Sequence, residues 1–215
     1  RDLTIEVLET LARDQALKVR RIVAEALKDL TDAPPHLIQE LARDLEIKVA
    51  GPVLQYSPIL TDDDLLEIIS SGPIRGALTA IAKRRRIGDR LADAIVAAAV
   101  EVPDETDTIT DLLNNKSAQI REETLDLILD KAPAVEEWQE PLVRRPLLPM
   151  NAVKRLAEFV SSSLFDLLTA RPDLDKSTAK AVAKAVKKRL AAEAKQKGAG
   201  DSQATPPAGD EEAMS

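Results

Sequence analysis

The sequence predicts an all-α protein, a right-handed α-solenoid of stacked helix pairs, and three observations carry that prediction. The first is an internal repeat: Ala12–Asp32 laid on Ala42–Asp62 gives nine identities in 21 positions without a gap. A period of about thirty residues over helical text is the mark of a stacked-repeat architecture. The second is composition. The chain is 44% apolar but only 2% aromatic, with seven Gly in 215 residues, which suits close helix–helix packing better than a turn-rich sheet. The third is punctuation: short apolar segments at three-to-four spacing are separated by Pro-containing turns, so consecutive helices should lie antiparallel.

Taken in order, Leu3–Ala12 reads as a short amphipathic helix, followed by a second with Leu17, Val19, Ile22, Val23, Ala26, Leu27 and Leu30 on one face. Thr31-Asp32 before Pro34-Pro35 is a stop and restart, because Pro is tolerated only in a helix's first turn. Leu37–Ala42 then repeats the short helix and Ile47–Leu54 the long one, which Gly51-Pro52 should kink or shorten. At the next boundary Thr61 is placed to cap a helix beginning Asp62-Asp63-Asp64, with three carboxylates at the positive end of the helix dipole. Leu60 and Leu65 form a hydrophobic staple around it. The acidic triplet is therefore read as a cap and not as a metal site, since consecutive carboxylates fan around a helix.

Helix text continues over 64–70, 74–85, 89–100, 107–113, 120–130, 135–143 and 151–169, with no convincing strand. The register is ambiguous between Asp89 and Asn115, where the period departs from thirty. The helical domain is expected over 1–170, a Lys-rich capping helix over 171–197 and a disordered acidic tail over 198–215. Arg171–Gly200 holds nine basic and three acidic residues, whereas 201–215 holds four acidic and none basic.

A finer regularity recurs as cap–x–x–apolar–basic: Asp14 with Lys18, Asp44 with Lys48, Ser71 with Arg75 and Ser117 with Arg121. Read as the opening of the second helix of each pair, it lines Lys18, Lys48, Arg75 and Arg121 along one edge. Those bases either form a ladder, each meeting oxygens of its neighbour, or present a stripe to an acidic partner. The ladder is favoured, because a base in a first turn opposes the dipole unless something compensates it. Two further basic segments stand out. Lys83, Arg84, Arg85 and Arg86 end a helix, where cations complement the dipole and solvent exposure is the default. Lys180, Lys184, Lys187 and Lys188 share a face of the Lys-rich helix, suited either to solubility or to a phosphate or acidic surface.

Catalytic chemistry is hard to find. No Cys is present, which removes disulfides and thiolate sites. His36, the only histidine, has no second imidazole for a metal and is expected at the surface. Ser71–Gly76 has its glycines at the wrong spacing for a phosphate loop, and Ser57 and Ser161–Ser163 have no histidine base near them in sequence. Tyr56 and Trp138 are expected in the core or at a repeat junction. The net charge of −7 opposes general nucleic-acid affinity while allowing a local basic patch. No apolar run approaches a membrane span and no signal peptide is visible, so a cytoplasmic protein without membrane insertion is expected; the chain opens on Arg1, which leaves room for an upstream segment.

Paired helices with an aspartate in the turn and a base early in the second helix resemble HEAT repeats. More narrowly, Val53–Leu60, Asp64-Leu65-Leu66, Ala80–Arg84, Leu113-Asn114-Asn115 and Arg145–Pro149 resemble a bacterial family known as domain of unknown function 2336. The resemblance spans about Leu3–Leu174. It implies a HEAT-like fold and brings no catalytic residues. The expected function is a non-enzymatic scaffold or adaptor that holds another protein or peptide, with no cofactor. The alternative is nucleic-acid binding through a basic face.

Overall fold

The computed structural model describes residues 2–172 together with Leu174, Lys180, Ala183, Lys184 and Val186. Twelve α-helices run through these residues: α1 Asp2–Ala12, α2 Leu17–Leu27, α3 Pro35–Ala42, α4 Ile47–Tyr56, α5 Asp62–Ser70, α6 Ala77–Ala82, α7 Asp89–Ala99, α8 Thr106–Asn114, α9 Glu122–Lys131, α10 Glu136–Arg144, α11 Met150–Phe159 and α12 Ser162–Thr169. No strand occurs among the described residues; a single isolated bridge joins Ile87 and Ala118. Nor is any helix there long and apolar enough to cross a membrane.

The helices sort into two rows. Each even helix packs on the next even helix, from α2 through α12, while α5, α7, α9 and α11 pack successively in the other row, as α1 does on α3. Apolar faces from both rows meet in one core, with Leu37, Ile38 and Leu41 of α3, Val53 and Leu54 of α4, Leu91 and Ile95 of α7 and Leu112 of α8 almost wholly enclosed. Aliphatic side chains supply nearly all of it, as the composition anticipates.

Local chemistry sets several boundaries. Thr61 accepts the Asp64 N–H through its hydroxyl (3.2 Å), and the Asp64 carboxylate accepts the Thr61 N–H (2.9 Å), completing a capping box at α5. Leu60 and Leu65 beside it are both buried. The hydrogen bonds from the Thr61 hydroxyl and N–H, with a third from Gln39 (2.8 Å), hold the Asp64 carboxyl below its ordinary value of 3.8. A carboxyl depressed in the folded state contributes stability that is present above the unfolded value and lost as pH falls through the folded one. In urea unfolding, the gap between the parent protein and Asp64→Asn should therefore be open at about pH 7 and close toward about pH 3. A gap that stays constant across that range would contradict the assignment.

Other boundaries depart from expectation. Residues 151–169 form two helices, not one, because Val160 is extended and the Ser161 hydroxyl caps the Leu164 N–H, opening α12. Residues 74–85 shrink to the six-residue α6, entered through Gly76 in the left-handed region (φ +85°). Pro52 lies within α4, which runs on to Tyr56. The expected Lys-rich helix and acidic tail lie outside the described residues, except that Lys180 and Lys184 are exposed and Val186 is buried.

Candidate functional site

Charged side chains of the odd row tie each helix to the next. Arg13 pairs with Glu40 (2.7 Å), Arg43 with Glu67 (2.8 Å), Arg90 with Asp63 (3.6 Å), Arg121 with Asp89 and Asp93 (2.7 and 2.8 Å) and Arg155 with Asp126 (2.9 Å). His36 is exposed as expected and shares a hydrogen bond with Glu9 (2.7 Å). Arg121 holds the Asp89 carboxyl below its ordinary value, chiefly by hydrogen bonding. These links are largely exposed, so each adds little alone and acts mainly to fix which helix follows which.

The even row is joined differently, through a ladder along the C-terminal ends of its helices. Arg84, just past α6, donates to the carbonyls of Leu54, Ser57 (2.9 Å) and Leu60 (3.4 Å) at the exit of α4. Asn115, past α8, donates to Ala82 (2.9 Å) and Arg84 (2.7 Å) at the end of α6. Arg145, past α10, reaches the carbonyls of Leu113 and Ala118, and Arg171, past α12, those of Val143 and Arg145 (both 2.7 Å). The last carbonyls of a helix have no partner within it, and these side chains supply one from the following pair. Burial pushes the Arg84 and Arg145 guanidinium groups below their ordinary range, although they remain cations; for Arg84, Asp62 acts in the opposite sense.

Against this frame the four bases of the sequence pattern separate. Lys18 and Lys48 sit in the first turns of α2 and α4, exposed. Asp14 and Asp44 do not cap those helices directly: each bonds the N–H two residues on, that of Ala16 (2.7 Å) or Glu46 (2.9 Å), in a turn before the helix begins. A ladder rung is present here, but Arg20 makes it, bonding both Asp44 oxygens (2.6 and 3.2 Å) and the Asp14 carbonyl (2.9 Å). Arg75 precedes α6 and lies 3.7 Å from Asp104, while the Ser71 hydroxyl closes α5 by bonding the Ile68 carbonyl. Arg121 opens α9, which belongs to the odd row, so it cannot line up with Lys18 and Lys48. The expected single stripe is thus corrected: its members fall in two rows, and two of them are ion-paired.

The basic tetrad divides as well. Arg84 turns inward to the carbonyls, Lys83 pairs with Asp111 (3.1 Å), and Arg85 and Arg86 stay exposed. Lys180 and Lys184 are exposed, and Lys187 and Lys188 lie outside the described residues. Trp138 is buried at 2% exposure, its indole N–H donating to the Thr106 carbonyl (3.1 Å), as expected of a core residue. Of the two places expected for Tyr56 the core is excluded: it is 50% exposed, against the preceding helix pair, with the Lys28 ammonium 4.8 Å from its ring centre.

Open depressions follow the even row. One of about 360 Å³ is lined by Leu17, Lys18, Arg21 and Lys48. A second of about 390 Å³ borders Lys28, Gly51, Pro52, Tyr56, Gly76 and Lys83, where residues without bulky side chains leave α4 and α6 uncovered. A third of about 500 Å³ brings Tyr56 beside Arg85, Arg86 and Asp29. Another, of about 590 Å³, lies between α10 and α12 around Leu147 and Leu167, where the chain passes into residues outside the described set. No group of three or more His, Cys, Asp or Glu side chains that could hold a metal ion occurs among the described residues.

A family model described as an uncharacterised protein conserved in bacteria, DUF2336, matches residues 49–210. The chain belongs to the DUF2336 family. The match begins later and runs further than the sequence resemblance over 3–174, so the DUF2336 region takes in the Lys-rich segment and leaves α1–α3 outside. Neither the curated proteins nor the solved structures gave a match to the chain. Three stretches of the DUF2336 resemblance acquire a physical role here: Arg84, Asn115 and Arg145 are all rungs of the carbonyl ladder. Sequence inspection missed that ladder. Its signal was an Arg or Asn recurring one or two residues after each even helix from α6 onward.

Proposed function

We propose that the protein is a non-enzymatic, cytoplasmic interaction module, a right-handed solenoid of HEAT-like helix pairs that holds another protein or peptide against its even row. One observation carries this reading: Arg and Lys side chains pair from helix to helix along the odd row, while Lys18, Arg21 and Lys48 on the even row are exposed with no ion pair among the described residues. The same row carries the depressions around Lys18 and around Lys28 and Tyr56, with Tyr56 itself half-exposed; a smaller one of about 180 Å³ lies instead at the ends of α3 and α5. Stacked helical repeats offer extended binding surfaces of this kind.

The test is a photo-reactive residue introduced singly at Gln55 or Thr110 on the even row, and at Leu127 or Glu158 on the odd row, in the native host. Adducts with a second protein from Gln55 and Thr110, absent at Leu127 and Glu158, are expected; adducts from the odd positions alone would overturn the reading. Nucleic-acid binding is the second reading, favoured by Tyr56 beside Arg85 and Arg86, an aromatic among bases that sequence spacing hides. It requires a salt-sensitive affinity for single-stranded DNA that Arg85→Glu/Arg86→Glu abolishes.

A further inference from the structure

We propose that the depression between α2 and α4 is the docking surface for an acidic segment of a partner protein, carboxylates meeting Lys18, Arg21 and Lys48 and an aliphatic side chain meeting Leu17 and Ile22. The inference rests on the interaction-module reading and adds to it the chemistry of the partner. Among the described residues no carboxylate lines the depression, and the nearby cations Arg20 and Lys28 are already engaged by Asp44 (2.6 Å) and Glu25 (2.7 Å). Three positive charges are therefore concentrated and uncompensated on a chain whose net charge is −7. Ile22, one turn beyond Lys18, is 57% exposed and gives the surface an apolar component.

The placement of Lys18 and Lys48 strengthens the case. Both stand at the second position of a helix whose first turn holds no acidic residue and whose N-cap makes no side-chain bond. A cation there opposes the helix dipole, so folding alone does not account for it. A local conflict without a compensating contact is what a binding residue is expected to show. A peptide is favoured over nucleic acid because the surface presents aliphatic Leu17 and Ile22 and no ring, and a long polyanion would also meet the acidic remainder of the chain.

The test uses fluorescence anisotropy of the full chain with a labelled peptide of repeating Glu-Glu-Leu, beside repeating Glu-Glu-Ser and a single-stranded DNA. The Glu-Glu-Leu peptide should bind best, with an affinity that falls as salt is raised. The triple reversal Lys18→Glu/Arg21→Glu/Lys48→Glu should weaken it by about tenfold or more, and Arg85→Glu/Arg86→Glu by less than about twofold. Undiminished binding by the triple variant overturns the proposal, as does tighter binding of the DNA that the same triple variant loses. Stronger peptide binding after Asp210→Asn/Glu211→Gln/Glu212→Gln would assign the surface to the chain's own acidic end, and a dimer broken by the triple reversal would assign it to a second copy; either result overturns a partner protein as occupant. Should the peptide fail while Gln55 and Thr110 still cross-link, only this inference falls. Should only the odd row cross-link, the functional reading falls with it.

Discussion

Replacing Arg84 by methionine should lower the unfolding free energy by about 3 kcal/mol, because it leaves the carbonyls of Leu54, Ser57 and Leu60 without their donor. At the slope usual for a chain of this size, that is a fall in melting temperature of about 6–12 °C. Arg85→Met and Arg86→Met should stay within about 0.5 kcal/mol of the parent, since both side chains are exposed and make no ion pair among the described residues. Three consecutive arginines of the same chemistry thus separate into one that holds the fold and two that do not. Urea unfolding of the three single variants measures this directly, and equal losses for all three would contradict the carbonyl ladder.

Trp138→Ala should cost more, about 3–5 kcal/mol, through loss of a large buried ring and the cavity it leaves behind. Trp138→Phe separates the two contributions: it keeps most of the ring and removes only the indole hydrogen bond to the Thr106 carbonyl, which still accepts from the Thr110 hydroxyl (3.0 Å), so about 1 kcal/mol of the loss should remain. Were Trp138 a binding anchor instead, its removal would leave thermal unfolding nearly unchanged and act only on partner capture.

Much of the architecture is legible in the sequence because it depends on short-range chemistry. The Thr61–Asp64 capping box needs only residues three apart in sequence, and the repeat of Ala12–Asp32 in Ala42–Asp62 fixes two successive helix pairs. The choice of row for each helix is not local. Arg121 follows Ser117 and Ile120 in the same spacing that Lys18 follows Asp14 and Leu17, yet α9 packs on α7 and α11 in the odd row. The shortened α6 and the bridge between Ile87 and Ala118 set that register, and neither has a strong sequence signal.

The same limit governs the side chains at the candidate surface. Which cation of Lys83–Arg86 turns inward depends on the angle at which the chain leaves α6, and composition is blind to it. Lys18 and Arg20 differ by two positions on α2, enough to send one to solvent and the other to Asp44. Sequence spacing anticipated the link that Arg121 makes to Asp89 and Asp93, but at α2 it pointed to Lys18 where Arg20 meets Asp44. Tyr56 reads equally as core or as repeat junction, and only the structure separates the two: it is the last residue of α4, beyond the helix face that Val49, Val53 and Leu54 bury, and its ring lies under Lys28 of the preceding pair. Val160 fits the apolar period of one long helix, and only the Ser161 cap reveals the break.

Arg84 and its fellow rungs hold successive helices together, whereas Lys18, Arg21 and Lys48 should be dispensable to the fold. Thermal melting of Lys18→Glu/Arg21→Glu/Lys48→Glu beside Arg84→Met checks that division. The triple reversal should melt at or above the parent temperature, since a carboxylate in the first turn of α2 or α4 suits the helix dipole, while Arg84→Met should melt well below it. A triple variant that melts as low as Arg84→Met would contradict that division and return those three cations to the scaffold.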